Sequence, residues 1–469
     1  MQRFFLLFCL LVIPSLSFAN TSWTRVNGQE GQDNWVFSMD AIDPNTAWFI
    51  GSVSNNGNTE IKGFRMTNGT SFSSMTLPVG GGTMTMFTDL RFVDTQVGFI
   101  TGMDISLPFK ADFSTNILWR TTNGGGSWEL VDDTIDEMII RMAAFPTGEL
   151  FAVSDKSFYG LSGNTLQKGG AVSIGDLSIS TLHMLTPYMG YIAGGQGRNE
   201  ESTQLPGRGF VFKTVDGGAN WVPVVQELPF QVTAIWFINE NIGYIGGDDG
   251  TNGYLRVTVD GGQTWSDQTL PLHPELTIDI ELPFKFSQTI DPLPPSSISA
   301  IRFFDCERGV ALGMACTGSC DTPDEASYLT IFMRTYDGGI TWVMDPDYEA
   351  VMDGWGQMEM MPKVVSGMQA MSFVSPNNGL IGGQNLMVLQ YTADSPEELP
   401  EPGIPSCSGS NNTNNSTTNN TNNGTGFNDG SESSGCGCAH AGQSRGFSPA
   451  VLFMLSLFLG FVALGRRYS

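Results

Sequence analysis

Apolar and polar positions along this chain recur in one phrase. The phrase is an apolar run with β-branched and aromatic residues, then a short polar turn, then a Gly-aromatic-Ile-x-Gly sequence, as in VTAIWFINENIGYIGG at 232–247. Two such runs joined by a turn rich in Asn and Gly predict an antiparallel hairpin. The chain has seven copies, at 36–51, 87–102, 139–154, 179–195, 232–247, 298–313 and 368–383.

The spacing of the copies indicates the fold. Their closing residues fall at 51, 102, 154, 194, 247, 313 and 383, so each repeat has room for two more strands after its hairpin. Four-stranded units repeated around an axis form a β-propeller. We therefore predict an all-β fold, a seven-bladed β-propeller of four-stranded blades, over residues 20–396.

The two ends of this stretch predict how the ring closes. The last repeat ends at Ala393, shortly before Pro396, and is one strand short. The segment 21–27, which contains Trp23, resembles the outer strand of the other repeats. We expect this segment to supply the outer strand of the last blade, because that pairing also covers an open sheet edge.

A second pattern, Ser/Thr-x-Asp-x-Gly-x-x-Trp, follows several repeats and resembles the Asp-box, or BNR repeat. In such a turn the Thr hydroxyl and the Asp carboxylate accept bonds from turn amides, Gly adopts a positive φ, and Trp packs under the turn. Three copies are complete and a fourth has Asn in place of Asp. The predicted structural residues are Thr121, Asn123, Gly125, Trp128, Thr214, Asp216, Gly218, Trp221, Thr258, Asp260, Gly262, Trp265, Thr335, Asp337, Gly339 and Trp342.

One of these repeats carries a family resemblance. The segment FKTVDGG at 212–218, with GYIGG downstream at 243–247, resembles the seven-bladed propellers of the photosystem II assembly and stability factor family. The resemblance covers nearly all of 21–396 and implies a binding or assembly scaffold without catalysis. The competing Asp-box families are sialidases and other glycoside hydrolases. We interpret Arg120, Lys213 and Arg334, which precede three of the boxes, as repeat consensus rather than as a sialidase arginine set.

Composition narrows the function further. The 469 residues include 22 basic and 47 acidic side chains, a net charge of −25, and only 3 His. Binding nucleic-acid phosphates requires clustered Lys and Arg, so nucleic acid is excluded as the expected partner. Scarce imidazole argues against most catalytic and zinc sites. We predict a non-catalytic, monomeric binding propeller with a protein or glycan ligand; a carboxylate-driven glycoside hydrolase or sialidase-like enzyme is the alternative.

Both termini predict export and tethering. Residues 1–19 combine Arg3, an apolar run and Ser17-Phe18-Ala19, which is the pattern of a secretory signal peptide. Residues 397–446 are rich in Asn, Ser and Thr and are predicted to be a disordered linker. Residues 447–464 are apolar and long enough to span a bilayer, and 465–469 form a basic cytoplasmic tail. The expected location is the cell surface or outer envelope.

The cysteines fall into separate groups. Cys436 and Cys438, followed by the apolar helix and a basic end, resemble a MYXO-CTERM sorting tail, which implies processing or lipid attachment there. A plain single-span anchor is the alternative. Cys316 and Cys320 share one loop and are a candidate disulfide, whereas the pairing of Cys306 and Cys407 stays open.

Two surfaces are candidate binding sites. With the strands of each blade lettered A to D outward from the axis, the long insertions fall in B–C and D–A connections, so one face is built up and is the expected binding face. Neutral variation of surface loops is the alternative. Within strand A, one chemically variable column is predicted to face the central channel, or else to bond to neighbouring backbone. Its members are Asp40, Arg91, Ala143, His183, Trp236, Arg302 and Ser372.

No cofactor is expected, with one weak exception. The loop that begins at Asp248 and Asp249 offers oxygen ligands suited to Ca²⁺, although it has no recognised metal-ligand spacing.

Overall fold

The structure is a computed structural model. It describes residues 21–27, 35–55, 58–69, 71–80, 84–105, 114–196, 208–281, 285–318, 326–345, 368–383, 388–393 and 444–445. The predicted signal peptide, the sorting cysteines and the segment 447–464 lie outside these ranges. Among the described residues, no helix has the length and apolar character needed to cross a bilayer.

The described strands form seven antiparallel blades of four strands each, which confirms the predicted all-β propeller; β31 (Ser444–Arg445) adds a fifth strand to one blade, and β22 (Leu276–Glu281) and β23 (Lys285–Ile290) form a separate hairpin. Strand β1 (Thr21–Asn27) comes first in the chain. Blade 1 consists of β2 (Trp35–Asp43), β3 (Thr46–Asn55), β4 (Asn58–Thr67) and β5 (Ser71–Met75), and blade 2 of β6 (Met84–Phe92), β7 (Gly98–Ile105), β8 (Ser114–Thr121) and β9 (Glu129–Ile135). Blade 3 consists of β10 (Arg141–Ala144), β11 (Leu150–Val153), β12 (Phe158–Ser162) and β13 (Thr165–Lys168), and blade 4 of β14 (Ser178–Met184), β15 (Gly190–Gln196), β16 (Arg208–Thr214) and β17 (Val222–Leu228).

The remaining strands complete the ring. Blade 5 consists of β18 (Gln231–Phe237), β19 (Gly243–Asp248), β20 (Gly253–Thr258) and β21 (Ser266–Asp267); the hairpin β22 (Leu276–Glu281) and β23 (Lys285–Ile290) follows; blade 6 consists of β24 (Ser297–Phe303), β25 (Gly309–Gly318), β26 (Ala326–Thr335) and β27 (Val343–Met344); and blade 7 contains β28 (Met368–Ser375), β29 (Asn378–Gly383) and β30 (Val388–Ala393). A two-residue strand, β31 (Ser444–Arg445), adds to the inner edge of β24.

The ring closes through the N-terminal strand, as predicted. β1 pairs antiparallel with β30, and Trp23 lies opposite Tyr391. The Trp23 ring is buried against Phe332, with centroids 5.0 Å apart, and against Tyr391, at 5.2 Å. Its indole Nε1 donates to Asp345 Oδ1 at 3.2 Å, and Asp345 in turn forms a buried ion pair with Arg334. The last blade is therefore held by pairing, aromatic packing and a buried charge.

The hydrophobic core lies mainly between neighbouring blades. An aromatic residue of strand B stacks on a Phe from strand A of the next blade. The pairs are Trp48 with Phe92 at 3.6 Å, Tyr191 with Phe237 at 3.6 Å and Tyr244 with Phe303 at 3.8 Å between centroids. The stacking explains why the repeated phrase carries an aromatic residue after its first Gly, since that ring fills the gap between two blades.

The four box turns share one hydrogen-bond pattern. In each, the Thr hydroxyl accepts from a Gly amide two residues after Asp or Asn, at 2.9, 2.9, 2.8 and 2.7 Å in chain order. The Asp or Asn side chain accepts from the amide four residues further on, at 2.8 to 2.9 Å. Hydrogen bonds from Thr264 hold the pKa of the Asp260 carboxyl near 2. These residues stabilise the turn.

At Gly218 in the second box, the neighbouring blade packs so closely that there is no room for a side chain. Its φ is +87°, and a Cβ there would lie 2.0 Å from Cε1 of Phe158 in the preceding blade. We predict that Gly218→Ala lowers the free energy of unfolding by roughly 3 kcal/mol, from left-handed strain plus overpacking. Gly163 is the matched control, because its φ is +64° and nothing lies within 4 Å of the built Cβ. Gly163→Ala should cost only about 1 kcal/mol; equal losses in urea denaturation would show that packing at Gly218 is unimportant.

The two faces of the disc differ. On one face, the C–D turn of a blade donates a backbone hydrogen bond to the A–B turn of the same blade. The four bonds are Gly124 N to Gln96 O, Gly217 N to Tyr188 O, Gly261 N to Asn241 O and Gly338 N to Glu307 O, each at 2.8 Å. We call this the turn face. The opposite insertion face carries the long B–C and D–A connections.

One insertion contains regular structure that the sequence analysis treated as a loop. Between blades 5 and 6, β22 and β23 form a hairpin, and an isolated bridge joins His273 to Leu293 at its base. The alternation in LTIDIE and KFSQTI was the signal that could have revealed it. Of the predicted B–C insertions, residues 106–113, 197–207 and 319–325 lie outside the described ranges.

Candidate functional site

The predicted channel column lies on the seven inner strands, but its side chains are buried. Their exposed fractions run from 0% at Ala143 and Ser372 to 7% at Trp236 and Arg302. The expectation that this column is open to the central channel is therefore wrong. At this height each inner strand is packed between two blades, which leaves little side-chain surface for a ligand.

Polar members of the column bond to the backbone of an adjacent blade. Phe92 N donates to Asp40 Oδ2 at 2.7 Å, and Arg91 Nε donates to Met142 O at 3.1 Å. His183 Nε2 is hydrogen-bonded to Phe237 O at 3.0 Å, and Ala41 N donates to Ser372 Oγ at 2.9 Å. The last of these joins blade 7 to blade 1. The column thus connects blades, which is the alternative that the sequence analysis left open, and its contact with a ligand stays a prediction.

His183, Trp236 and Arg302 form a stack across blades 4, 5 and 6. The imidazole centroid lies 4.4 Å from that of the indole, and Arg302 Cζ lies 4.3 Å from the indole centroid. A guanidinium over an indole face is attracted by the ring quadrupole. Because Phe237 O can only accept, His183 Nε2 donates to it. Burial lowers the pKa of His183 to about 3, and the positive charge of Arg302 adds to that effect.

His183 should make the fold sensitive to acid. In the unfolded chain the His183 ring binds a proton below about pH 6.5, whereas in the folded protein the ring stays neutral down to about pH 3. Stability is therefore full above pH 6.5 and falls as the pH drops toward 3. Between pH 7.5 and 5.0, we predict that wild type loses about 2 kcal/mol more than His183→Gln does. Urea denaturation at both pH values measures this, and parallel losses would contradict a neutral buried ring.

Sequence reasoning missed a buried charged residue beside this column. Asp89, 0% exposed, accepts from Ser38 Oγ and from Met142 N, both at 2.9 Å. Arg91 Nη2 lies 3.2 Å from the same carboxylate. Asp89 therefore joins blades 1, 2 and 3. An acidic residue within the apolar run of strand A was the available signal.

The more open positions of the inner strands lie nearer the insertion face. In six inner strands, pairing with the next strand skips one residue, which forms a β-bulge; the skipped residues are Phe37, Thr88, Ser180, Thr233, Ser299 and Gln369. Among them Phe37, Thr233 and Ser299 are partly exposed. Each lies three residues before a member of the buried column. The partly exposed positions are therefore at the bulge of strand A, and the predicted column lies further along the strand, where it is buried.

The inner edge of β24 also pairs with another segment of chain. β31 runs antiparallel to β24, with Ser444 opposite Ile301 and Arg445 opposite Ala300. β31 also lies beside β14, β18 and β28. An inner strand therefore leaves backbone groups that an extended segment can bind.

The cations before the boxes contact aromatic rings. Arg120 Cζ lies 5.9 Å from the Phe99 ring centroid, and Lys213 Nζ lies 5.6 Å from that of Tyr191. Arg334 Cζ lies 3.8 Å from the Tyr391 centroid in the neighbouring blade. Arg120 and Lys213 thus contact a strand-B ring of their own blade, which fits their interpretation as repeat consensus, whereas Arg334 also forms the buried ion pair with Asp345.

The carboxylates considered for calcium take part in bonds within their own loop. Asp248 Oδ1 accepts from Gly250 N at 3.0 Å, and desolvation raises the pKa of Asp248 to about 6. Asp249 Oδ1 accepts from two amides, and its Oδ2 accepts from Tyr254 Oη at 2.8 Å. Within the described ranges, no three His, Cys, Asp or Glu side chains are grouped to hold a metal. Calcium binding stays a prediction.

These observations define the class of the protein: a seven-bladed β-propeller of four-stranded blades, latched by its N-terminal strand. No protein-family profile matches the chain, and no curated protein matches it in sequence.

Solved structures with the same architecture do match. YCF48 bound to a D1 peptide is 18% identical, with a TM-score of 0.50, and the match covers 79% of this chain and 97% of that one. The WD40 propeller domain of Doa1 is 9% identical over 79% of this chain and 97% of that one, at a TM-score of 0.43. The GH93 α-L-arabinofuranosidase of Fusarium graminearum is 8% identical, at a TM-score of 0.41, over 66% of this chain and 97% of that one. At these identities the likeness shows the fold alone.

Proposed function

We propose that this chain is an exported, surface-tethered propeller that binds a protein ligand on its insertion face without catalysis. The observation that carries the proposal is the difference between the two faces. The turn face is short and held by repeated hydrogen bonds, whereas the insertion face carries extended connections, one with the paired hairpin β22–β23. Variable loops on a rigid scaffold are the usual arrangement of a binding site.

A protein ligand fits the backbone arrangement of the inner strands. The inner edge of β24 pairs antiparallel with the extended segment β31, and adding a strand to a sheet edge is a common way to bind peptides. The structure of YCF48, which shares the fold, holds a D1 peptide. A peptide that enters between the insertion loops would meet the partly exposed Thr233 and Ser299 first.

Tethering follows from the sequence of the two ends. The signal peptide 1–19 would export the propeller, and the apolar segment 447–464 would hold it at the envelope, with Cys436 and Cys438 as processing or lipid-attachment sites. Within the linker 397–446, Ser444 and Arg445 pair with β24, so the end of the linker nearest the anchor would stay bound to the propeller. The charge of −25 favours a basic or neutral ligand.

The test compares the two faces of the full-length chain in its own envelope. One variant replaces the hairpin residues 276–290 with a Gly-Ser linker, and the control variant changes exposed Val215 and Val259 on the turn face to Ser. We expect a protein cross-linked to wild type to be retained by the control and lost by the hairpin variant. Retention by both variants would contradict the insertion-face assignment. Hydrolysis of aryl glycosides or envelope glycans by the purified chain would instead favour the glycosidase alternative.

A further inference from the structure

A cavity of about 220 Å³ lies between blades 3 and 4. One wall is the D–A connection 169–177 that leads from blade 3 to blade 4, and the other comes from the outer strands β16 and β17. Arg208, the first residue of β16 after the B–C connection, also lines it. Since D–A and B–C connections form the insertion face, the cavity belongs to that face. Pockets for drug-sized ligands measure about 300–1,000 Å³, so this one suits a single side chain.

The floor of the cavity is apolar. Ile174, Phe210 and Phe212 are each more than nine-tenths buried and belong to the core cluster between these two blades. Leu177 adds a fourth apolar side chain to the lining. Such a floor favours a ligand group with a hydrocarbon stem, because covering the stem removes apolar surface from water.

The cations at the rim already have partners within the protein. Arg208 Nη2 donates to Asp176 Oδ2 at 2.7 Å and to Gln196 Oε1 at 2.9 Å. Lys156 Nζ donates to the carbonyl oxygens of Asp176 and Leu177, at 3.3 and 2.6 Å. These bonds fix the D–A connection to both blades, so the wall is formed by the protein's own contacts. Arg208 and Asp176 also balance each other's charge.

Glu227 is the remaining charged residue of the lining. Its side chain is exposed, and it forms no ion pair or hydrogen bond with any residue in the described ranges. An unbalanced carboxylate beside an apolar floor matches a side chain that combines a hydrocarbon stem with a positive head group. The net charge of −25 further favours a cationic ligand.

The backbone holds Glu227 in a strained conformation. Its φ is +64°, in the left-handed region that is unfavourable for residues other than Gly. The residue belongs to a bulge, in which Gln226 and Glu227 together lie opposite Phe210. The equivalent bulge of blade 2 contains Asp133 and Thr134, and Thr134, at the position of Glu227, has no positive φ. The bulge alone therefore does not require this strain, and strained residues cluster at binding sites.

We propose that this cavity is a specificity pocket of the insertion face and binds a lysine side chain of the protein ligand. The methylene stem lies on Phe210 and Phe212, and the ammonium donates to the Glu227 carboxylate. Resting on the proposed function, the pocket defines the partner as a protein with an exposed lysine. An acidic ligand group would have to displace Asp176 from Arg208, and an apolar one would leave Glu227 unbalanced.

Binding of short peptides to the full-length chain tests the pocket. The probes are fluorescent peptides Ala-Ala-X-Ala-Ala in which X is lysine, norleucine or glutamate, so that they differ only in the central side chain. We expect the lysine peptide to bind about fivefold more tightly than the norleucine peptide, the gain of one partly exposed ion pair. Equal affinities for lysine and norleucine, or no binding of any peptide at millimolar concentration, would overturn the assignment. A preference for glutamate would overturn it in favour of recognition by Arg208.

Glu227→Gln should reduce the affinity for the lysine peptide about fivefold and leave that for the norleucine peptide unchanged. Asp133→Asn is the matched control, because it removes an exposed carboxylate from the equivalent bulge of blade 2. It should leave both affinities at the wild-type value. Equal losses in the two variants would show that the lysine peptide responds only to the overall charge of the chain.

Glu227→Gly separates binding from a structural role. Glycine relieves the left-handed strain, so the Tm should rise by about 2 °C while lysine binding weakens as in Glu227→Gln. A lower Tm would show that Glu227 stabilises its blade and is not held in place for a ligand.

The peptide test and the cross-linking test can fail separately. The hairpin residues 276–290 do not line this cavity, so the hairpin variant should bind the lysine peptide as wild type does. If the hairpin variant loses its cross-linked protein but Glu227→Gln binds every peptide as wild type does, the pocket assignment is wrong and the proposed function stands.

Discussion

Asp345→Ala should lower the free energy of unfolding by about 3–5 kcal/mol, because removing one partner of a buried ion pair leaves the other charge uncompensated. Arg334 and Asp345 are 7% and 3% exposed at their side chains, so water cannot replace the lost carboxylate. The substitution also removes the acceptor of the Trp23 indole N–H. Because Trp23 belongs to the N-terminal strand, we expect the ring to open at the join between β1 and blade 7.

Chemical denaturation of the full chain measures this loss. The control is Asp267→Ala, which breaks the ion pair with Arg256, where the Asp267 side chain is 71% exposed. Exposed pairs contribute about 0–1 kcal/mol, so the control should be near wild type. If the two variants lose the same stability, the buried pair does not hold the latch.

Asp89→Ala is expected to have a comparable effect at a different place in the ring. The carboxylate is fully buried, pairs with Arg91 and accepts from Ser38 Oγ and Met142 N. Its loss leaves a buried guanidinium and two donors without their acceptor, so about 3–5 kcal/mol should be lost. Hydrogen exchange should rise in β2, β6 and β10 together, because one side chain connects these three blades.

Glu60→Ala is the matched control for that variant. Glu60 pairs with Lys62 at 3.4 Å on β4 of blade 1, and its side chain is 65% exposed. A change of less than about 1 kcal/mol is expected. Faster exchange confined to β6 in Asp89→Ala would show that Asp89 stabilises its own blade and does not connect blades.

The box turns and the latch could be predicted because their causes are local. Thr214, Asp216 and Gly218 satisfy one another's hydrogen bonds within five residues, and a Gly with positive φ is needed whatever the rest of the chain does. The latch was predictable because the last repeat is one strand short and Trp23 matches the missing strand.

The channel column was mispredicted because burial depends on neighbours distant in sequence. Asp40 is 52 residues from Phe92, and Ser372 is 331 residues from Ala41, yet each pair is hydrogen-bonded. Regular alternation along strand A also misplaced the open positions, since a bulge at Thr233 and Ser299 shifts which residues point away from the core.

By itself, the sequence determined the number of repeats, the strand content, the turn chemistry and the closing strand, because periodicity and turn propensities act over a few residues. Only the tertiary structure decided which polar groups join the blades, where Asp89 and Asp345 are buried, and that β31 pairs with the inner edge of β24. Those outcomes depend on which blades become neighbours, and contacts between blades are made by residues that repeat spacing alone does not pair.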